Sequence, residues 1–156
     1  MMKYIGKNFA IEGIKIRELA RKFKTPTYCY SYQKLSENIS KFKKNFKNLN
    51  PLICFSVKAN ANLKLLKELK KFGLGADVVS IGELAKALKA GIHSKKIVFS
   101  GVGKTQEELS FAIKKKILLI NAESKSEILE IENIARNKRM IVDIGIRLNP
   151  NTDAKT

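Results

Sequence analysis

From residue 53 onward the chain repeats one pattern: a short apolar run, a polar break, then leucines and isoleucines at helical spacing. The runs from Ile53, from Ala76 to Ser80, from Ile97 to Ser100, from Ile117 to Asn121 and from Ile141 to Leu148 lack polar alternation. That predicts strands of a parallel sheet covered by helices on its faces. The runs begin at 53, 76, 97, 117 and 141, roughly one every 20–24 residues, the length of a strand and a helix. Leu63, Leu65, Leu66 and Leu69 mark the first helix. Others are predicted from Leu84 and Leu88 to Gly91, from about Gln106 to Lys115, and from about Ser126 to Arg136. Upstream, a weak amphipathic helix spans Ile14 to Phe23, and Thr25-Pro26 punctuates the chain. Thr27 to Tyr32 predicts a strand; Leu35, Ile39, Phe42 and Phe46 predict a helix ending near Pro51.

Two architectures suit such a run, an open doubly wound sheet and a (β/α)8 barrel. A closed barrel takes about 250 residues, so 156 residues suffice only for the open sheet or for part of a barrel. The strand ends favour the barrel. They carry Lys58, Asp77 with Ser80, Ser100, Asn121 with Glu123, and Arg147 with Asn149. Polar groups at successive carboxyl ends converge in a barrel mouth, whereas an open sheet spreads them along an edge. The expected fold is α/β, an incomplete TIM-type (β/α)8 barrel of about five of eight units over residues 25–156. A short N-terminal segment, 1–24, precedes it.

No dinucleotide fingerprint supports the open alternative. Gly73-Leu74-Gly75 precedes a strand rather than following one. Gly101-Val102-Gly103-Lys104-Thr105 resembles the end of a P-loop, but Val98 stands where that motif needs its first glycine. It is read as a loop with Thr105 capping the next helix.

The formal net charge of +17 raises the question of nucleic acid. The lysines are scattered at helical spacing, as in Lys64, Lys67, Lys70 and Lys71, with no aromatics interleaved as stacking platforms. They solvate helices, and no specific nucleic-acid partner is expected. No apolar run is long enough to span a bilayer, and the N-terminus lacks the apolar core of a signal peptide. A cytoplasmic protein without a membrane partner is expected. Cys29 and Cys54 lie in strand-like runs and are expected to be buried free thiols; nothing has zinc spacing.

Lys58 is the sharpest chemical signal. A lone lysine closing a buried strand is an odd place for a hydrated ammonium, and desolvation there turns lysine into an amine nucleophile. A snorkelling lysine at a strand end is the equal alternative. Asp77 could simply end a strand, and Glu83 could be a first-turn acid favoured by the helix dipole. Arg147, in an apolar strand, needs an anionic partner if buried. His93 lies in a turn between helix and strand and is expected at the surface.

Four stretches carry a resemblance: Phe55-Ser56-Val57-Lys58-Ala59-Asn60; Gly75 to Ser80 with Gly82-Glu83-Leu84; Ile97 to Thr105; and Arg147-Leu148-Asn149-Pro150 with Asp153-Ala154-Lys155-Thr156. In order and spacing they resemble the diaminopimelate decarboxylases, pyridoxal-phosphate decarboxylases with an alanine-racemase-like barrel. Alanine racemases are less similar, because Ala61-Asn62-Leu63-Lys64 departs from their wording. Ornithine and arginine decarboxylases share Lys58, Asp77, Glu83 and Arg147 but lack the Gly101–Thr105 and Asp153–Thr156 stretches.

The resemblance implies that Lys58 is catalytic, holding pyridoxal 5'-phosphate as a Schiff base. It places Asp77 beside the cofactor, makes Glu83 the residue that orients that shell, and sets Arg147 near the ring. It implies a small amino-acid substrate, meso-diaminopimelate, and a homodimer at full length. Family members are much longer than 156 residues. The expected identity is therefore an N-terminal part lacking the C-terminal β-domain; the alternatives are an inactive half-barrel remnant or pyridoxal-phosphate-binding module, or a related ornithine- or arginine-type decarboxylase.

Overall fold

The computed structural model describes residues 2–150. Asp153 to Thr156, part of the resemblance above, lie outside the described residues. The chain divides into two compact units, up to Pro51 and from Leu52, a later boundary than the residue 24 expected from the punctuation at Thr25-Pro26.

The first unit opens with an antiparallel meander of β1 (Met2–Ile5), β2 (Asn8–Ile11) and β3 (Ile14–Lys15), an element the hydrophobic pattern does not predict. Ile11 faces Ile14 across Glu12-Gly13, whose φ angles of 50° and 86° make the left-handed two-residue turn that suits a hairpin. Helix α1 (Ile16–Phe23) starts later than expected because Ile14 and Lys15 belong to β3. The strand expected over Thr27–Tyr32 does not form. Tyr28 and Tyr30 are exposed, and Ser31 instead accepts the Lys34 N–H as N-cap of α2 (Tyr32–Asn45). β-propensity in those aromatics finds no neighbouring strand among the described residues, and the cap decides the local structure. Cys29 is correspondingly exposed rather than buried. The Glu12 carboxylate accepts the Ser31 hydroxyl at 2.6 Å and the Gln33 N–H at 2.7 Å. Those two bonds hold its pKa below the ordinary glutamate range.

In the second unit the expected alternation is present. It comprises β4 (Cys54–Ser56), α3 (Leu63–Lys71), β5 (Gly75–Val78), α4 (Ile81–Lys89), β6 (Ile97–Phe99), α5 (Gln106–Lys114), β7 (Leu119–Ala122), α6 (Lys125–Asn137) and β8 (Ile144–Ile146). All pairings are parallel and the order is β4-β5-β6-β7-β8. A doubly wound sheet reverses its strand order at a switch point. This one never reverses, which is how a barrel is wound. It is an incomplete barrel, four βα units and a fifth strand among the described residues.

The two faces of the sheet differ. Ala76, Val78, Ile97, Phe99 and Ile120 are buried under Leu66, Leu69, Leu84, Leu109 and Ile113 of the helices. The alternate residues Cys54, Ser56, Asp77, Val98, Leu119, Asn121 and Gly145 are only half-buried, on the face a closed barrel would turn inward. The helices α3 to α6 each start on a small polar cap: Asn62, Ser80, Thr105 and Ser124. That is why the strand-to-helix loops are well fixed.

The loop before α5 has a second anchor. Glu108 closes a capping box with Thr105, and its other oxygen accepts the Ile81 N–H at the start of α4. The Thr105 and then the Ile81 N–H hold the Glu108 pKa below 4.5. A lowered folded-state pKa contributes stability above the unfolded value and loses it as pH falls through the folded one. Glu108→Ala should therefore cost about 1 kcal/mol at neutral pH, the usual size of a capping contribution at a partly solvated site. Denaturant titrations should show the gap from wild type shrinking as pH drops below 4.5. A gap unchanged by acid would take the carboxylate out of the argument.

Candidate functional site

The polar face of the sheet carries a hydrogen-bonded line across its strand ends. Asp77 on β5 lies opposite Ser56 on β4. Its carboxylate accepts the Ser100 hydroxyl at 2.6 Å and the Ser56 hydroxyl at a long 3.5 Å. Ser100 in turn accepts the Asn121 side-chain amide at 3.0 Å. Gly145 of β8 pairs with Asn121, and a Cβ there would collide with the Asn121 side-chain oxygen. A larger residue there would have to turn that amide away from Ser100, which glycine avoids. Two residues before Ser56 on β4, the half-buried Cys54 thiol has its pKa raised, by burial first and by the Asp77 charge second. It stays protonated and is a poor nucleophile.

Lys58 sits at the same end of the sheet, two residues beyond Ser56, in a single 3-10 turn over Val57–Ala59. Val57 is buried but Lys58 is exposed, so the expected desolvation is not found. That turn follows β4, an edge strand among the described residues, so only β5 flanks it within the sheet. Its ammonium makes no hydrogen bond or ion pair among the described residues, leaving the amine available.

Glu83 accepts the Val79 N–H at 2.9 Å, while Ser80 accepts the Glu83 N–H. It braces the turn that follows Asp77 and does not itself reach the line of polar groups. Arg147 is half-exposed rather than buried. It donates to Glu123 at 3.3 Å and to Asn149 at 3.0 Å, so its anionic partner is Glu123 on the neighbouring strand end and not Asp143. Glu123 is itself only 8 % exposed. Asp77, Ser100, Asn121, Glu123 and Arg147 thus occupy successive strand ends on one face, with Lys58 at the first. His93 is exposed at the opposite end of β6, where its Nδ1 accepts the Lys95 N–H.

One arrangement escapes sequence reading altogether. The Lys104 ammonium, 1 % exposed, donates to Glu127 at 2.6 Å, to the Asn121 carbonyl at 2.7 Å and to the Gly101 carbonyl at 2.8 Å. The signal in the sequence is an acid in the first turn of α6, which α1, α4 and α5 also carry. Among the described residues no cluster of three or more His, Cys, Asp or Glu could hold a metal ion, and no helix is long and apolar enough to cross a membrane.

An available amine at the first strand end of a face that carries hydroxyls, a carboxylate and, at its last strand, an arginine suits an aldehyde-bearing, anionic cofactor. Comparison with known proteins agrees. Residues 32–156 match the family described as "pyridoxal-dependent decarboxylase, pyridoxal binding domain". The chain belongs to the pyridoxal-dependent decarboxylases. A diaminopimelate decarboxylase of Helicobacter pylori (strain J99) is 49% identical over 139 residues, 89% of this chain and 34% of that protein. One of Aquifex aeolicus is 43% identical over 155 residues, 99% of this chain and 36% of that protein. The crystal structure of diaminopimelate decarboxylase from M. jannaschii in complex with L-lysine superposes with a TM-score of 0.94 at 36% identity, over 100% of this chain and 37% of that one. The chain spans about a third of the length of the relatives it matches.

Proposed function

We propose that this chain supplies the Lys58 side of a pyridoxal-phosphate enzyme that decarboxylates meso-2,6-diaminopimelate to L-lysine. It would work in the cytoplasm with the remaining two-thirds of its relatives' length, as a homodimer when whole. The observation that carries the proposal is the Lys58 amine at the end of β4, at the head of the Asp77–Ser100–Asn121 line, in a chain whose relatives are named diaminopimelate decarboxylases.

Each residue has a task. The Lys58 amine would hold the cofactor covalently through its aldehyde carbon. Asp77, kept in place by Ser100, would offer a fixed negative charge beside the cofactor. Arg147, half-exposed and always protonated, would offer the opposite charge at the far side of the face. Glu83 would keep the turn after β5 from shifting Asp77. When bound, the pyridine ring of such a cofactor accepts the electron pair left as carbon dioxide departs. Substrate choice against ornithine or arginine is assigned to groups outside the described residues. The isolated chain is expected to release no carbon dioxide beyond a Lys58→Ala control.

Borohydride reduction in the presence of pyridoxal phosphate tests the site directly. Surface lysines also condense with aldehydes, but only Lys58 has a carboxylate line and an arginine to retain the adduct. Peptide mapping should find Lys58 labelled in clear excess over lysines on the helices, such as Lys67 or Lys114. Even labelling across the surface would remove the reading of a preformed site.

A further inference from the structure

Lys104 is buried and charged, and the roles above leave it without one. All three of its donors are used, on Glu127, the Asn121 carbonyl and the Gly101 carbonyl. Its nitrogen also lies 5.7 Å from the centre of the Phe99 ring. The Lys104 side chain is 1 % exposed and that of Glu127 10 %. A buried ion pair of this kind is weak evidence of stability for its own sake, because well-packed apolar residues do as well. What it does supply is fixed geometry.

That geometry reaches both halves of the site. Gly101 follows Ser100, and its φ of 96° sets the reversal out of β6. The Lys104 contact to the Gly101 carbonyl closes that loop back on itself. The contact to Asn121 fixes the backbone of the residue whose side chain donates to Ser100, and Ser100 donates to Asp77. On the other side, the second Glu127 oxygen accepts the Glu123 N–H at 2.8 Å, and Glu123 pairs with Arg147. Two hydrogen-bonded arms therefore start at one ammonium. A lysine suits this place because its donors diverge from a single atom toward three acceptors; the planar fork of an arginine does not.

We propose that Lys104, with Glu127, is a positioning residue that sets Asp77 through Asn121 and Ser100, and Arg147 through Glu123, in register with Lys58. The proposal rests on the cofactor reading above, and its test separates the two.

Lys104→Met alone strands the Glu127 charge, so the informative variants of this chain are Glu127→Gln and Lys104→Met/Glu127→Met. Glutamine keeps an oxygen for Lys104 but turns an N–H toward Glu123, which breaks only the Arg147 arm. By NMR, Glu127→Gln should speed exchange of the Glu123 backbone amide about tenfold while the Asn121 side-chain amide stays as slow as in wild type. The double variant should remain folded, lose the slow exchange at both positions, and lower the borohydride-fixed label on Lys58 relative to Lys67 by about tenfold. A purely structural pair would leave that ratio unchanged in a folded protein, and an unchanged ratio with both amides still slow overturns the proposal. If wild type shows no Lys58 preference, the cofactor reading falls by itself, and the two amides still decide for or against Lys104. Should the double variant not fold, Glu127→Gln decides through the Glu123 amide alone.

Discussion

Lys58→Ala is expected to remove the borohydride-fixed cofactor from the β4–α3 peptide while the fold stays intact. Lys58 is exposed and bonds to nothing among the described residues, so its removal costs no packing. The loss is chemical, because alanine has no amine to hold an aldehyde. Fused to the complementary two-thirds of a related diaminopimelate decarboxylase, the wild-type chain should support turnover of meso-diaminopimelate. The Lys58→Ala fusion should fall at least about 10³-fold, the scale on which removing a covalent group acts. Partial recovery with methylamine would follow, since a free amine can then attack the same carbon. Turnover by the alanine fusion within a few-fold of wild type would mean that another lysine, or none, does the covalent work.

How much of this was visible beforehand depends on what kind of signal each feature leaves. Buried parallel strands must be continuously apolar, and their helices must start on small polar caps, so the alternation from β4 to α6 was legible almost residue by residue. The last strand is shorter than its apolar run. Ile141 and Leu148 are apolar but 99% and 84% exposed, and only Ile144–Ile146 pairs with β7. The N-terminal meander leaves no alternation signal because each strand is too short; its two-residue turns, Gly6-Lys7 and Glu12-Gly13, are the clearer mark in the sequence. At Thr27–Tyr32 aromatic β-propensity points to a strand, but the Ser31 cap governs the local structure.

The site divides the same way. Asp77, Ser100, Asn121 and Arg147 announce themselves as polar residues ending apolar runs. Lys58 was legible by position, yet its exposure was not, because burial of a strand end depends on neighbours the pattern cannot count. The partner of Arg147 and the pairing of Lys104 with Glu127 are tertiary facts. Both join loops 23 or 24 residues apart through side chains that each have an ordinary local explanation.

The largest stability effect should come from breaking that last pair on one side. In Lys104→Met the Glu127 carboxylate, 10 % exposed, keeps the Glu123 N–H but loses its counter-charge, and two carbonyls, of Gly101 and Asn121, lose a donor. Removing one member of a buried ion pair costs about 3–5 kcal/mol, because the other is left charged in a poor solvent. Against a total of about 5–15 kcal/mol for an ordinary domain, the variant should melt far earlier than wild type or fail to fold. Lys104→Met/Glu127→Met removes both charges and restores apolar contact against Phe99, so most of the loss should return. The comparison of three melting curves is therefore diagnostic. If the single and double variants are equally unstable, the damage comes from the two orphaned carbonyls and the altered loop rather than from the stranded charge. If neither is destabilised, water reaches Glu127, and the ammonium is not the buried junction on which the two arms of the site depend.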